Sequence, residues 1–137
     1  MFEKIVLAID GSSDSEKAIT VARDLGKAHK AQVLVVHVHE HVYGRGAPVL
    51  PETPKEAQAM LDKCVADLTK AGLDARGEVM HAIYGRAAGS IVSAADKSGA
   101  GLIVMGTRGH SDLAGLLLGS VSHKVIQLSH CPVLVAR

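Results

Sequence analysis

Aromatic side chains are almost absent from this chain. They make up 2% of its 137 residues, there is no tryptophan, and the three present are Phe2, Tyr43 and Tyr84. Proteins that recognise bases or sugars by stacking depend on such rings, so recognition of that kind is not expected. The core must instead consist of Val, Ile, Leu, Ala and Met side chains.

A dominant charge is also missing. Lys and Arg number 15 against 14 Asp and Glu, which leaves a net charge of +1. No field of one sign attracts nucleic acid or a membrane surface, and we expect neither as a partner. No apolar run approaches the roughly 20 residues that span a bilayer. The segment Met1–Lys4 leads straight into a strand-like run without a signal peptide, so we expect a cytoplasmic protein.

Cysteine is scarce as well. Cys64 and Cys131 are far apart and form no CxxC motif. Such thiols are typically reduced, buried side chains of cytosolic proteins. A chain of this length, with 47% apolar and 21% charged residues, can fold without a disulfide or a metal. We therefore expect one domain over residues 1–137.

Short apolar runs alternate with longer amphipathic segments along the chain. The apolar runs predict five strands, at Lys4–Ile9, Gln32–His39, Ala75–His81, Gly101–Met105 and Pro132–Ala136. The amphipathic segments predict four helices, one opened by a capping box of Ser13 and Glu16, one along Ala57–Ala71, one at Tyr84–Lys97 and one opened by Ser120.

This alternation predicts a doubly wound α/β fold, in which a mainly parallel sheet carries helices on both faces. The most apolar strand, Gly101–Met105, is expected at the sheet centre. Glu40–Pro54 and Gly106–Gly119 are expected to be loops. Ligands of such sheets bind at the carboxyl ends of the strands, where the winding reverses.

The loop after the fourth strand has the spacing Gly106-x2-Gly109-x9-Gly119-Ser120 and precedes a helix. Glycines let backbone N–H groups approach an anion, and a helix N-terminus favours phosphate. The hydroxyls of Ser120 and Ser122 and the charge of Arg108 could add to such a site. Glycines in such a loop can also serve conformation alone. The motif is neither a GxxxxGK[ST] P-loop nor a GxGxxG fingerprint.

Several separated segments, in order, resemble the universal stress protein family, and specifically its ATP-binding branch. They are the opening I-V-L-A-I-D-G-S-x-x-S, the strand ending V-V-H-V, the runs L-I-V-M-G-T-R-G and L-L-G-S-V-S-H-K-V, and the close C-P-V-L-V. The resemblance covers essentially the whole chain. It implies five parallel strands in the order 3-2-1-4-5, bound ATP, and a small cytosolic protein that is often dimeric. We expect Mg²⁺ to bridge the phosphates of the bound ATP.

The resemblance also implies a set of nucleotide-binding residues. Ribose and phosphates would be held by Gly106, Gly109, Gly119 and Ser120, with Val121 and Ser122 continuing that wall. The nucleoside side would be lined by Ala8, Ile9, Asp10, Val38 and Met105. The strand Pro132–Ala136 would lie at the sheet edge and pair with a second subunit.

Some of these residues have simpler interpretations. Asp10 could be only a turn residue. His37, His39 and His41 alternate and so share one strand face, where they could hold a metal, but no carboxylate or cysteine at matching spacing supports this. His110 and His123 could be solvent-exposed or could contact phosphate.

Catalysis has little support, because GxSxG, HExxH and kinase signatures are missing. Slow ATP hydrolysis, with Asp10 as a metal-phosphate acid, is the most that the residues allow. We therefore expect a regulatory module whose nucleotide state is read by an unknown protein partner. One alternative is a nucleotide-free dimerisation module. Another is an adenylating enzyme, since Gly11, Asp14 and Ser15 match the SGGxDS loop of ATP pyrophosphatases.

Overall fold

Strands and helices alternate strictly in the computed structural model, which describes residues 1–41, 52–107 and 118–137. The strands within these ranges are β1 (Lys4–Ala8), β2 (Gln32–His41), β3 (Asp74–Ile83), β4 (Leu102–Gly106) and β5 (Val133–Ala136). The helices are α1 (Ser13–His29), α2 (Pro54–Lys70), α3 (Ala87–Ser98) and α4 (Ser120–Leu128). No helix of the described ranges is both long and apolar enough to cross a membrane.

All neighbouring strands are parallel, and their order is β3-β2-β1-β4-β5. The predicted fold and strand order are therefore confirmed. The strand expected at the centre was wrong, because β1 lies in the middle and β4 lies between β1 and the edge strand β5. Composition could not separate the two, since both are flanked by strands and covered on both faces.

The side chains of the sheet divide into two cores. On one face, Leu7 and Val104 pack with α1 and α2. On the other, Val6 and Ile103 pack with α3 and α4. Each of these four strand residues is fully buried, so truncation of one to alanine should cost about 1–4 kcal/mol. The helices thus leave β1 and β4 on opposite faces, which creates the point where the winding reverses.

Several element ends differ from prediction. Helix α1 is capped by Ser12, whose side chain accepts from Ser15 N at 3.2 Å, so Ser13 is the first helical residue rather than the cap. Helix α3 begins at Ala87 rather than Tyr84, because a turn with Gly85 at φ +86° precedes it. Strand β2 continues to His41 because it pairs with β3 along its whole length. The rest of the predicted Glu40–Pro54 loop, up to residue 51, lies outside the described residues.

Both cysteines are free. Cys64 is buried in the α1–α2 core, and this burial raises the pKa of its thiol to about 11. Cys131 is only partly buried, so the prediction of two buried thiols was correct for Cys64 alone.

Candidate functional site

The carboxyl ends of β1 and β4 lie side by side, with the start of α1 packed against them. A Cβ atom at Gly106 would lie 2.8 Å from the carbonyl carbon of Asp14 and 2.9 Å from Ser15 N. Only glycine fits there without a shift, because side chains essentially never approach backbone this closely. The end of β4 therefore packs directly on the start of α1, and Gly106 is required by this packing. We call the space at the carboxyl ends of β1 and β4 the crevice.

A hydrogen bond joins the residue that follows β4 to the residue that precedes α4. Thr107 O accepts from Gly119 N at 2.7 Å. Thr107 is in turn fixed to β5, because its backbone N and its hydroxyl both donate to Ala136 O, at 2.8 and 2.6 Å. Gly119 and the start of α4 are thus held beside the end of β4. The predicted ligands Arg108 and Gly109, and His110, lie outside the described residues.

The N-terminus of α4 lies beside the end of β4 and carries main-chain donors that the helix itself does not use. Its N-cap is Gly119, in extended conformation with φ −72° and ψ 162°, and no described side chain caps the helix. The first N–H groups of a helix have no partner within it and carry its positive dipole end. Ser120 is exposed there, and Val121 is partly buried. The arrangement suits an anion.

The hydroxyl of Ser122, a predicted phosphate donor, is engaged within the fold. Ser122 is 2% exposed, and its hydroxyl lies 2.6 Å from Thr107 O and 3.1 Å from Gly106 O, to which it donates. The side chain therefore ties α4 to the end of β4. Only its backbone remains a candidate for ligand contact.

The predicted nucleoside residues separate by sheet face. Ala8, Val38 and Met105 all pack on the face that carries α3 and α4, together with Val121. They form an apolar wall at one side of the crevice. Ile9 points into the opposite core, so the structure does not bring its side chain to that wall.

Asp10 forms the turn between β1 and α1. Its Oδ1 accepts from Ser12 N at 2.9 Å, and its backbone N donates to Ser15 Oγ at 3.1 Å. These bonds support the turn interpretation of Asp10. The turn uses one carboxylate oxygen and orients the half-buried side chain at the mouth of the crevice.

A second cluster of polar side chains lies at the ends of β2 and β3. Only part of it was identified from the sequence. We call it the histidine cluster; it consists of His37, His39, His41, His81 and Glu52. Both Glu52 oxygens lie within 3.0 Å of His37 Nε2, and Oε2 lies 3.0 Å from His39 Nδ1. Glu52 therefore supplies the carboxylate that the residue spacing alone did not predict near these histidines. The sequence signal that could have indicated this contact is Thr53-Pro54, which marks the start of α2. Glu52 comes directly before it and so lies over β2.

Partial burial raises the pKa of Glu52, but the hydrogen bonds and charges of His39 and His37 outweigh it, so the pKa lies below its usual 4.5. His37 Nδ1 lies 2.8 Å from Ile9 O. A carbonyl oxygen only accepts, so His37 Nδ1 donates to Ile9 O. At the exposed end, His41 Nε2 lies 3.0 Å from His81 Nδ1.

Comparison with known proteins identifies the family of such a chain. The model of the universal stress protein family matches residues 1–137. A universal stress protein of Thermus aquaticus is 39% identical over 139 residues, and Universal stress protein YxiE of Bacillus subtilis is 37% identical over 151 residues. In both comparisons the alignment covers 100% of each chain.

Two similar solved structures contain nucleotides. A universal stress protein of Archaeoglobus fulgidus in complex with dAMP has a TM-score of 0.73 and 25% identity, with 100% of both chains covered. A universal stress protein in complex with cAMP has a TM-score of 0.75 and 26% identity, covering 98% of this chain and 96% of the other.

Proposed function

The chain belongs to the universal stress protein family, and from this we propose that it binds ATP in the crevice between the β1 and β4 loops, as a cytoplasmic regulatory protein. The observation that carries the proposal is the N-terminus of α4, which no described side chain caps and which Thr107 holds beside the end of β4. The relatives in complex with dAMP and cAMP support an adenine nucleotide as the ligand.

Two parts of the crevice match the two parts of a nucleotide. The wall of Ala8, Val38 and Met105 offers an apolar surface to the base, while the first turn of α4, which follows Gly119, offers N–H donors to phosphate. Gly106 and Ser120 border the same space. Arg108 and Gly109 complete the proposed set. Asp10 would contact the nucleoside or help Mg²⁺ bridge the phosphates, which suits an ion that keeps several waters and takes few protein ligands.

Titration of the protein with ATP, with and without Mg²⁺, tests the proposal. Gly119→Val places a branched side chain where phosphate must approach, so the affinity should fall about tenfold or more, since one charge-assisted hydrogen bond contributes roughly 1.5–3 kcal/mol. Gly89→Val is the matched control, because a Cβ at that α3 glycine meets no atom within 4 Å. Equal ATP affinity of both variants and the wild type would reject the site.

Titrations with ADP, AMP and cAMP, and the mass of any nucleotide retained through purification, define the physiological ligand. A protein that binds none of them but is dimeric would be the nucleotide-free dimerisation module. The adenylating enzyme predicts pyrophosphate release from ATP. Against that enzyme, Ser15 is engaged with Asp10 and Ser12, and Asp14 is buried beneath Gly106.

We also propose that the protein forms a homodimer through Pro132–Ala136. The edge strand β5 pairs with β4 on one side, and its residues Val133, Leu134 and Val135 are each partly exposed. An edge strand offers unpaired main-chain groups to a second copy, while Pro132, which cannot donate, precedes it. Light scattering should show a dimer for the wild type and a monomer for Leu134→Lys. A monomeric wild type or a dimeric variant would contradict this.

The dimer would link nucleotide binding to an unknown protein partner. Thr107 joins the end of β4 to Ala136 of β5, so the crevice and the proposed interface share a hydrogen bond. A nucleotide shifts such an interface only if it contacts the two states differently. Light scattering with and without ATP measures that difference.

A further inference from the structure

The histidine cluster lies on the sheet face that carries α1 and α2. Val33 and Val35 of β2 and Val79 of β3 point into that face. Side chains of a strand alternate, so His37, His39 and His41 follow on the same side of β2 and His81 on that side of β3. The apolar wall of the crevice is on the other face. The cluster is therefore separate from the proposed nucleotide site.

Three of these imidazoles are spaced as ligands of one metal ion would be. Ring centroids are 4.9 Å apart for His39 and His41, 5.2 Å for His41 and His81, and 5.7 Å for His39 and His81. A tetrahedral Zn²⁺ with nitrogen ligands at about 2.0–2.1 Å holds its imidazole rings about 5 Å apart. The rings would become ligands of one ion by turning about their side-chain bonds.

The carboxylate supplies the support that such a site needs. Metal-bound histidines usually donate their second N–H to a carboxylate, which fixes the ring. Glu52 Oε2 accepts from His39 Nδ1 at 3.0 Å, and this leaves His39 Nε2 to bind an ion. His37 holds Glu52 from the other side, since it also donates to Ile9 O. His37 is therefore a positioning residue and not a ligand.

The pair of His41 and His81 supplies the other two nitrogens. His41 Nε2 and His81 Nδ1 lie 3.0 Å apart, close to the roughly 3.3 Å that separates two ligand nitrogens of a tetrahedral zinc ion. As the side chains stand, no three His, Cys, Asp or Glu groups of residues 1–41, 52–107 and 118–137 are arranged to hold a metal ion. The mutual hydrogen bond keeps the pair turned towards each other, and an ion would replace it.

We propose that His39, His41 and His81 bind one Zn²⁺ ion, with Glu52 orienting His39. The buried His39 fixes one ligand, and the half-buried His41 ring and the exposed His81 ring rotate to complete the site. Imidazole is a ligand that suits zinc. Three protein ligands leave one coordination position for water or another donor.

The test uses chelator-treated, nucleotide-free protein and Zn²⁺ alone in calorimetric titration. The wild type should bind one ion per chain. His41→Gln and His81→Gln should each weaken binding at least tenfold, and Glu52→Gln should weaken it about 10–100-fold as an outer-shell change. His130→Gln is the control, because His130 is an exposed histidine paired with Asp96 at 3.1 Å, away from the cluster, and it should leave binding unchanged.

Co²⁺ gives a second readout, because tetrahedral Co²⁺ absorbs visible light far more strongly than octahedral Co²⁺. The wild type should show the intense tetrahedral spectrum, and His81→Gln should lose it. Absence of Zn²⁺ binding, unchanged binding in His41→Gln and His81→Gln, or an octahedral Co²⁺ spectrum would each overturn the proposal. His81→Gln should retain the wild-type ATP titration, so failure of the metal site and failure of the nucleotide site are distinguishable.

Discussion

Two regions lie at the same end of the sheet, the crevice between β1 and β4 and the histidine cluster at β2 and β3. They consist of different chemical groups. Around the crevice lie Gly106, Gly119 and the first turn of α4, and the nearby hydroxyls of Ser122 and Thr107 are engaged within the fold. In the cluster, side-chain nitrogens and a carboxylate face each other. The first arrangement offers donors to an anion, whereas the second offers lone pairs to a cation.

Strand length explains the difference. β1 and β4 have five residues each, and β4 ends where α1 packs against Gly106, so a side chain does not fit at that position. β2 and β3 have ten residues each and remain paired up to His41 and Ile83. Their ends extend beyond β1, which stops at Ala8 opposite Val36. The histidine side chains therefore lie on the part of β2 and β3 that extends beyond β1. The backbone donors lie where β1 and β4 end.

Enlarging Gly106 should produce the largest change in stability. In Gly106→Ala the new Cβ meets the backbone of Asp14 and Ser15 at 2.8–2.9 Å, so the free energy of unfolding should fall by about 2–3 kcal/mol. Gly89→Ala is the matched control, since its Cβ meets nothing within 4 Å in α3 and should stabilise by roughly 0.5–1 kcal/mol. Denaturant unfolding measures both. If the free energy of unfolding changed in the same direction in both variants, the close contact of Gly106 with Asp14 and Ser15 would not be what requires glycine.

Glu52→Gln should be the next largest change, because it removes the charge that both histidines share. The loss should be about 2 kcal/mol at neutral pH, against less than about 0.5 kcal/mol for the exposed Glu56→Gln. The pKa of Glu52 is lowered by folding, so its contribution is present above pH 4.5 and is lost as the pH falls through the folded value. Unfolding curves for Glu52→Gln and wild type should therefore converge in acid, and a constant difference down to pH 3 would contradict the assignment.

Ser122→Ala should have a smaller effect at the crevice. It leaves Gly106 O and Thr107 O without their hydroxyl donor, at a cost of about 1–2 kcal/mol. The exposed Ser120→Ala should change the free energy of unfolding by no more than about 0.5 kcal/mol. If the hydroxyl of Ser122 instead binds phosphate, its removal would weaken ATP binding and leave denaturant unfolding unchanged.

Asp10→Asn should change stability least. The amide oxygen still accepts from Ser12 N, so the turn is kept, whereas Asp10→Ala loses it at about 0.5–1.5 kcal/mol. ATP titrations separate the remaining roles of Asp10. A loss confined to Mg²⁺ buffer indicates a metal role, an equal loss in Mg²⁺ and EDTA indicates a nucleoside contact, and no loss in either reduces Asp10 to a turn residue.

The element pattern, the parallel sheet and the position of the α4 start could be predicted from the sequence. These features depend on local periodicity and on glycine and serine signals close in the chain, as at Gly119-Ser120. The resemblance to the family added the strand order. Local signals were less exact at element ends: Ser12, rather than Ser13, caps α1 because each of the two adjacent hydroxyls could have done so.

Tertiary structure alone decided which groups meet. Position 106 requires glycine because Asp14, 92 positions earlier in the chain, packs onto it. The Ser122 hydroxyl donates to the carbonyl oxygens of Gly106 and Thr107. Glu52 reaches His37 and His39 because α2 begins above β2, and His81 reaches His41 because β2 and β3 are in register. Local sequence determines the elements, but contacts between distant residues depend on how those elements pack, and the chemistry of both regions depends on those contacts.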